Sequence, residues 1–566
     1  MMPRLAAILS GGLISFLFYS LLFAQQNGGQ AGIASAHPLA TAAGFEIIEQ
    51  GGNAFDAAIA VAATLAVVEP MSSGLGGGGF WLLHRASDGF QVMLDSREKA
   101  PAAATQNMYL DEQQKVIPNL SINGALAAAI PGVPAALVHM ASKYGHLPLR
   151  ESLKPAIRTA EQGFAVYPRY QNLLKFRKSY LNFEARKVFL TEKGDVPVVG
   201  TIIKQSDLAS SLRRLAIGGR KGFYQGETAA RLLESVNQAG GIWTQADLDA
   251  YQVIERTPVT GNYKGARIVS AALPSSGGIL LVEMLNILSG FELDALTAVQ
   301  QKQKIIEAMR LAYRDRAEFL GDADFIPVNE KLLTSMAYAD EVRKNITDRA
   351  TPSEFLLDSP LPEGENTTHL SVVDGDGNRV SATLSINYPF GSGLLAGGTG
   401  VVLNNEMDDF SASPGVENSF GLIGSQANAI AAGKRPLSSM TPSFIEKDDS
   451  VLVLGTPGGS RIITMVLIAV MDYLHDRGGL NDWVAEGRFH HQYHPDVVQF
   501  ELGGLNKAEQ NALSLLGYEL REIQRKYGNM MAVLRNNING RVQAVSDPRW
   551  QGSSEVRSEE AASIAR

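Results

Sequence analysis

The sequence predicts an α+β protein, and three observations carry the prediction. From Ala125 to about Asp348, apolar residues recur at helical spacing in segment after segment. After a loose, polar, Pro-containing stretch from Thr351 to Glu365, strand-like alternation takes over. Hydrophobic residues make up 45% of the 566, ample for a core, and the length allows two to four domains or one large one.

The chain opens with Met1-Met2-Pro3-Arg4, a short positive region, followed by an uncharged, mostly apolar stretch from Leu5 to Ala24. Residues 1–31 therefore read as a secretory signal peptide or a signal anchor. Ala24 suits the last position before a cleavage, and Gly29-Gln30-Ala31 is an alternative. If the leader stays, residues 5–24 are long enough to span a bilayer, and Arg4 would keep the N-terminus inside. The expected location is outside the cytoplasm, periplasmic or extracellular, free or anchored. A formal charge of −8 and the lack of a basic run argue against nucleic acid as a partner. The absence of cysteine excludes disulfides, thiolate metal sites, a Cys nucleophile and a lipid anchor on Cys.

Thr41 to Gln50 reads as a helix stopped by Gly51-Gly52-Asn53. Ala54 to Val68 is a second helix, apolar nearly all round and ended by Glu69-Pro70, so it is expected to be buried. Ser72 to Phe80 holds a glycine run that lacks the Gly-Lys-Ser/Thr of a phosphate loop and leads into a strand rather than a helix. Its glycines read as sites of tight packing. Strands Phe80 to Arg85 and Phe90 to Leu94 deliver Asp95-Ser96-Arg97-Glu98 to a strand end. Arg97 is either a bidentate clamp for a carboxylate or a surface ion pair. Helices are expected over Pro131–Lys143, Leu149–Gly163, Gln205–Ala216, Glu227–Ala239 and Ala298–Leu320, with another opened by Pro274-Ser275-Ser276-Gly277-Gly278 and running to Ile287. No Gly-x-Ser-x-Gly elbow occurs.

Thr367 stands where the linker meets the strand Thr368 to Asp374, which turns through Gly375-Asp376-Gly377-Asn378. A cut between Asn366 and Thr367 would expose a threonine as a new N-terminus. Threonine hydroxyls need a base, and an α-amine titrating near about 8 is closer to neutrality than a lysine amine at about 10.4. Such a residue carries nucleophile and base together, and the uncut chain has only an amide there. The plain alternative is a Thr-rich strand start after a surface loop.

Further strands are expected over Arg379–Asn387 and Gly400–Asn404. Asn404-Asn405-Glu406-Met407-Asp408-Asp409-Phe410 is a candidate cation or ammonium site, or a solvated turn. The long Gly/Ser/Asn/Pro loop from Ser411 to Gly433 has the length of a lid. Val451 to Arg461 reads as a buried strand, a Gly458-Gly459 turn and the start of a helix. Two such amides can serve as an oxyanion hole, or the turn is merely tight. His490 and His494 would share a face if helical, but no third ligand sits at a zinc spacing and Pro495 breaks the segment.

Several unusual strings in this order make the chain resemble the gamma-glutamyltransferase family of self-cleaving N-terminal nucleophile hydrolases. They are Glu49 to Ala54, Gly74 to Phe80, Arg97-Glu98-Lys99-Ala100-Pro101, Pro274 to Gly278, Thr367-Thr368-His369, Asn404 to Phe410, Lys434 to Met440 and Pro457-Gly458-Gly459-Ser460-Arg461. The resemblance extends from about Gly32 to Arg549 and leaves out the leader, the linker and the C-terminal tail. It implies a four-layer αββα sandwich built jointly by a large, helix-rich subunit (32–366) and a small, strand-rich catalytic subunit (367–566). By the same resemblance Thr367 attacks the Asn366 carbonyl, then the γ-carbonyl of glutathione or a related compound. Gly458 and Gly459 form the oxyanion hole. Arg97 with Ser438 and Ser439 holds the donor's α-carboxylate, and Glu406, Asp409 and Asn387 hold its α-ammonium. The acyl group passes to water, an amino acid or a dipeptide, with no metal or cofactor implied. Ser385 stands where many members have threonine, which keeps the hydroxyl and loses the methyl that fixes its rotamer. Phe420 stands in the lid where some bacterial members have tyrosine, so a phenol bond to Asn387 is lost. An acylase of the same fold, acting on a β-lactam side chain or a capsule polymer, and a non-cleaving periplasmic binding homologue are the alternatives.

Overall fold

A computed structural model describes residues 29–353, 367–413 and 415–559. The apolar leader stretch 5–24, the linker from 354 and the expected cleavage residue Asn366 lie outside the described residues. No helix among the described residues is long and apolar enough to cross a membrane.

Two sheets form the centre. In chain order their strands are β1 (Gln30–Ser35), β2 (Gly78–Arg85), β3 (Phe90–Asp95), β4 (Ile254–Arg256), β5 (Val259–Tyr263), β6 (Ala266–Ser270), β7 (Thr367–Val373), β8 (Arg379–Ser385), β9 (Ser443–Glu446), β10 (Ser450–Gly455), β11 (Met531–Asn536), β12 (Val542–Ser546) and β13 (Ser553–Ser558). One sheet runs β13-β1-β7-β8-β2-β3-β4 and the other β12-β11-β10-β9-β6-β5, with antiparallel pairing throughout. The helices that cover them include α1 (Pro38–Glu49), α2 (Ala54–Val68), α3 (Gly277–Leu288), α4 (Ala298–Phe319) and α5 (Ile462–Leu474). Helices α1 and α2 lie on the first sheet, α3 and α5 on the second, and β7 and β8 face β10 and β11 between them. This is the αββα sandwich that the resemblance implied.

Helix α2 spans the predicted residues because both ends are punctuated. Asn53 and Asp56 form a capping box, and every residue from Ala54 to Val68 is buried. Such an all-round apolar helix is stable only between layers. Its neighbours include α1, the strands β7 and β8, and an outer helix, Lys154–Gln162. The hairpin after β7 is tied to it: the Asp374 carboxylate accepts from Asn378 N at 2.8 Å and from Ala54 N at 2.9 Å. An anion is well placed at that helix start.

Three expectations are corrected. Leu149–Gly163 is two helices, Leu149–Ser152 and Lys154–Gln162, because Pro155 has no N–H to continue the first. The stretch read as mostly helical hides β4, β5 and β6, which extend both sheets. The C-terminal tail, which the resemblance left out, belongs to the first sheet: β13 pairs with β1 from Gln30↔Ser558 to Ser35↔Ser553. The start of β1 at Gln30 also falls inside the segment 1–31.

The seam between the sheets is not wholly apolar. Strands β7 and β8 are buried on both faces, and alternate residues of each point into the seam. Register pairs Thr367 with Ser385, His369 with Thr383 and Ser371 with Ser381. His369 Nδ1 meets Thr383 Oγ1 at 2.8 Å, Ser371 donates to Met531 O at 3.1 Å and Ser381 to Leu454 O at 2.9 Å. Each buried polar group thus finds a partner, as burial demands. Gly455 makes room for this ribbon, since a Cβ there would lie 2.2 Å from the His369 ring. Thr367 is the last member of the row.

Candidate active site

One cavity opens where that row ends. Its lining includes Thr367, Ser385, Asn387, Arg97, Glu406, Asp409, Ser438, Ser439 and Gly459. These are the predicted site residues except Gly458, one position before Gly459, and Asn366, which is not described. Residues that sequence reasoning did not assign also line it: Arg316, Leu422, Met440, Ser460 and Ile462.

Thr367 and Ser385 face each other because they are a directly opposed antiparallel pair. Their hydroxyls are 3.3 Å apart. Ser385 Oγ also accepts from Asn387 N at 2.7 Å. On the other face of β7, Thr368 donates to Glu69 Oε2 at 2.8 Å, and Arg169 bonds the second oxygen of that buried carboxylate at 2.9 Å. The strand start is therefore pinned on both sides of Thr367.

No lysine or histidine lines the cavity. His369, two residues on, has both ring nitrogens bonded within the seam, and burial lowers it to about 3. The two carboxylates of the lining, Glu406 and Asp409, are each paired with Arg97.

Arg97 follows β3 and is fully buried. Its Nε donates to Pro436 O at 3.2 Å, while its two outer nitrogens pair with Glu406 and Asp409. Glu98 Oε2 lies 3.7 Å from Arg97 Nη1. The acidic segment is a short 3-10 turn, Glu406–Asp409. Two asparagines hold it: Asn404 Oδ1 accepts from Glu406 N at 2.9 Å, and Asn405 O accepts from Asn387 Nδ2 at 3.1 Å. Asn387 has a positive φ of 71°, which asparagine tolerates better than most residues. Burial pushes the Glu406 carboxyl up to about 7 against the pull of Arg97. Glu406 Oε2 and Ser439 Oγ are buried without a hydrogen-bond partner among the described residues. The turn read as solvated or cation-binding is thus a buried ion-pair cluster with unused acceptors.

The glycine run packs as expected: a Cβ on Gly77 would lie 2.0 Å from Ser385 O, so only glycine lets the chain entering β2 approach Ser385 this closely. Between β10 and α5, Gly458 and Gly459 have φ of 148° and 58°. Such angles favour glycine. Phe420 is buried with its ring against Gly459, and Gln492 Nε2 donates to Phe420 O at 3.2 Å and Gly421 O at 3.0 Å. The loop from Ser411 is therefore held over the cavity by backbone bonds and packing, without a phenol.

The His490 segment is a strand, not a helix: Phe489–His490 pairs with Val498–Glu501. His490 bonds Thr464 and Gln492 at 2.9 Å each, and His494 pairs with Glu417 at 2.7 Å. These histidines serve packing and loop attachment.

The αββα sandwich with a hydroxyl residue at the head of a central strand is the architecture of N-terminal nucleophile hydrolases. A family model described as Gamma-glutamyltranspeptidase matches residues 40–556. A curated relative, the glutathione hydrolase proenzyme of Escherichia coli (strain K12), is 42% identical over 486 residues, 84% of this chain and 83% of that one. The crystal structure of Helicobacter pylori gamma-glutamyltranspeptidase is 41% identical with a TM-score of 0.56, covering 57% of this chain and 94% of that chain. Cephalosporin acylase from Bacillus halodurans is 29% identical with a TM-score of 0.82, covering 93% and 96%. This chain belongs to the gamma-glutamyltranspeptidase family.

Proposed function

We propose that this chain is a self-processing gamma-glutamyltransferase and glutathione hydrolase. The observation that carries the reading is one cavity with Thr367 and Ser385 on its wall and an Arg97–Glu406–Asp409 cluster beside them. In maturation the Thr367 hydroxyl attacks the Asn366 carbonyl. The amide rearranges to an ester, water opens it, and Asn366 leaves as a carboxylate. Residues 32–366 and 367–566 then remain together as one sandwich, since β1 to β6 come from the first piece and β7 to β13 from the second. The freed α-amine of Thr367 is the base.

In turnover that amine takes the hydroxyl proton while Oγ1 attacks the γ-carbonyl of glutathione. The Gly458 and Gly459 amides bind the oxyanion; one such donor is worth roughly 10²- to 10³-fold in rate. The cysteinylglycine amine leaves with the proton. Water, an amino acid or a dipeptide then takes the γ-glutamyl group from the ester. Arg97, Ser438 and Ser439 hold the donor's α-carboxylate, and Glu406, Asp409 and Asn387 its ammonium. An acylase for glutaryl side chains has no ammonium to bind, so two acids at this end favour a γ-glutamyl donor. The leader supports export to the periplasm or cell exterior. The test is purified protein with glutathione, with and without glycylglycine, followed by mass spectrometry. Glutamate alone, then γ-glutamyl-glycylglycine as well, is the expected result; intact glutathione in both refutes the reading.

Two smaller predictions arise here. Ser385→Ala removes one hydrogen bond to the nucleophile and is expected to slow maturation about tenfold, in line with roughly 1 to 1.5 kcal/mol per bond. The rate at which the precursor band disappears measures it, and Ser385→Thr should keep or exceed the native rate. The second concerns pH. A carboxyl raised to about 7 is ionised only above that value, and the donor ammonium needs the ionised form. KM for glutathione is therefore expected to fall as pH rises from about 6 to about 8, and Glu406→Gln should flatten that dependence.

A further inference from the structure

The cavity holds a second guanidinium that the reading above does not use. Arg316 sits in the last turn of α4, buried, and lines the cavity with Arg97. Its Nε donates to Ser276 Oγ at 3.1 Å. Ser276 in turn donates through both N and Oγ to Ser438 O, at 2.9 and 2.7 Å. Arg316 is thereby fixed on the Ser438–Ser439 side. Its terminal nitrogens make no hydrogen bond or ion pair among the described residues, and Ser439 Oγ on the same wall is buried without a partner.

Charge decides what this arrangement suits. Arg97 is already faced by two carboxylates, Glu406 and Asp409, so above about pH 7, where Glu406 is ionised, that trio alone carries one net negative charge. A site of that sign attracts an ammonium and repels a carboxylate. Burial pushes the Glu98 carboxyl well above the usual carboxylate range, which favours its neutral form. With Arg316 included, two guanidiniums and two carboxylates cancel. The polar wall then has an acidic side at Glu406 and a basic side at Arg316, the pattern of a zwitterionic α-amino-acid head.

We infer that Arg316 is a specificity-determining residue that holds the donor's α-carboxylate jointly with Ser438 and Ser439. The inference rests on the γ-glutamyl reading of the site. Arg97 then serves both ends, ordering the two acids and sharing the carboxylate. Ser276, at the head of α3, positions Arg316 and Ser438 together.

Three p-nitroanilides separate the two ends of the head group: L-γ-glutamyl, glutaryl (no ammonium) and 4-aminobutanoyl (no α-carboxylate). Wild-type protein is measured first; release of nitroaniline from none of the three would refute the acyl-transfer reading itself. In Arg316→Gln, the preference in kcat/KM for γ-glutamyl over the 4-aminobutanoyl donor is expected to shrink about 10- to 100-fold, the range for a hydrogen bond to a charged group. The loss should lie in KM, and the preference for γ-glutamyl over glutaryl should be kept. Arg316→Lys should recover part of the lost preference. Equal losses on all three donors, or no change in the first preference, would overturn the inference. If Arg316→Gln does not mature, the same comparison is made on Arg316→Lys, expected to lose only on the two carboxylate-bearing donors. Failure of both to mature assigns Arg316 to the fold and overturns the inference as well.

Discussion

Thr367→Ala is expected to leave the chain uncut at residue 366 and without γ-glutamyl transfer. One hydroxyl serves both steps, so the variant loses the group that breaks the Asn366 bond and the group that forms the acyl-enzyme. Its backbone nitrogen also stays an amide and never becomes a base. The expected loss in kcat is at least about 10⁴-fold, the scale for removing a nucleophile. The fold should survive. Thr367 pairs through its backbone in β7, and its side chain has one described side-chain bond, to Ser385. A denaturing gel and a glutamate-release assay check both halves. Thr367→Ser should cut and turn over more slowly, because the hydroxyl remains and the methyl that orients it does not.

Arg97→Gln is expected to have the second-largest effect. In the native site one guanidinium separates Glu406 from Asp409, with Glu98 behind it. Removing it leaves Glu406, Asp409 and Glu98 without that counter-ion. Breaking a buried pair in this way costs about 3–5 kcal/mol, which the protein can reduce by protonating the acids. A protonated Glu406 or Asp409 then binds the donor ammonium poorly, and the α-carboxylate loses one of its donors. A fall in kcat/KM of about 10³-fold is expected, from two charge-assisted contacts at roughly 1.5–3 kcal/mol each, together with a lower Tm. Arg97→Lys should not restore activity, because a point charge cannot bridge two carboxylates as a planar fork does. Steady-state kinetics with glutathione and thermal melts measure both effects.

Much of this was legible in the sequence, and the reasons differ by element. Helix α2 was readable to the residue because Gly51-Gly52-Asn53 and Pro70 mark its ends and no polar side interrupts it. Strands β7 and β8 were readable because a Gly-rich hairpin separates two alternating runs. The strands β4, β5 and β6 were not. They are short, and Val259-Thr260-Gly261-Asn262-Tyr263 carries little apolar signal; their pairing with β3 and β9 holds them. Strand β13 is likewise defined by its partner β1, far away in sequence. The site residues stood out where their neighbours were unusual, as in the acidic 406–409 segment. Arg316 sits in Arg314-Asp315-Arg316 near a helix end, which looks like any solvated charge run. Only the packing of α4 against α3, and the bond to Ser276, bring it to the cavity.

The central claim is that Thr367 becomes an N-terminus by the chain's own action. The most direct test is the intact mass of the purified protein under denaturing conditions, with N-terminal sequencing of the smaller species and Thr367→Ala alongside. The account predicts two chains for the native protein, the smaller beginning Thr367-Thr368-His369, and one chain for the variant. One uncut native chain after prolonged incubation, a break elsewhere, or cutting at residue 366 in Thr367→Ala would contradict it.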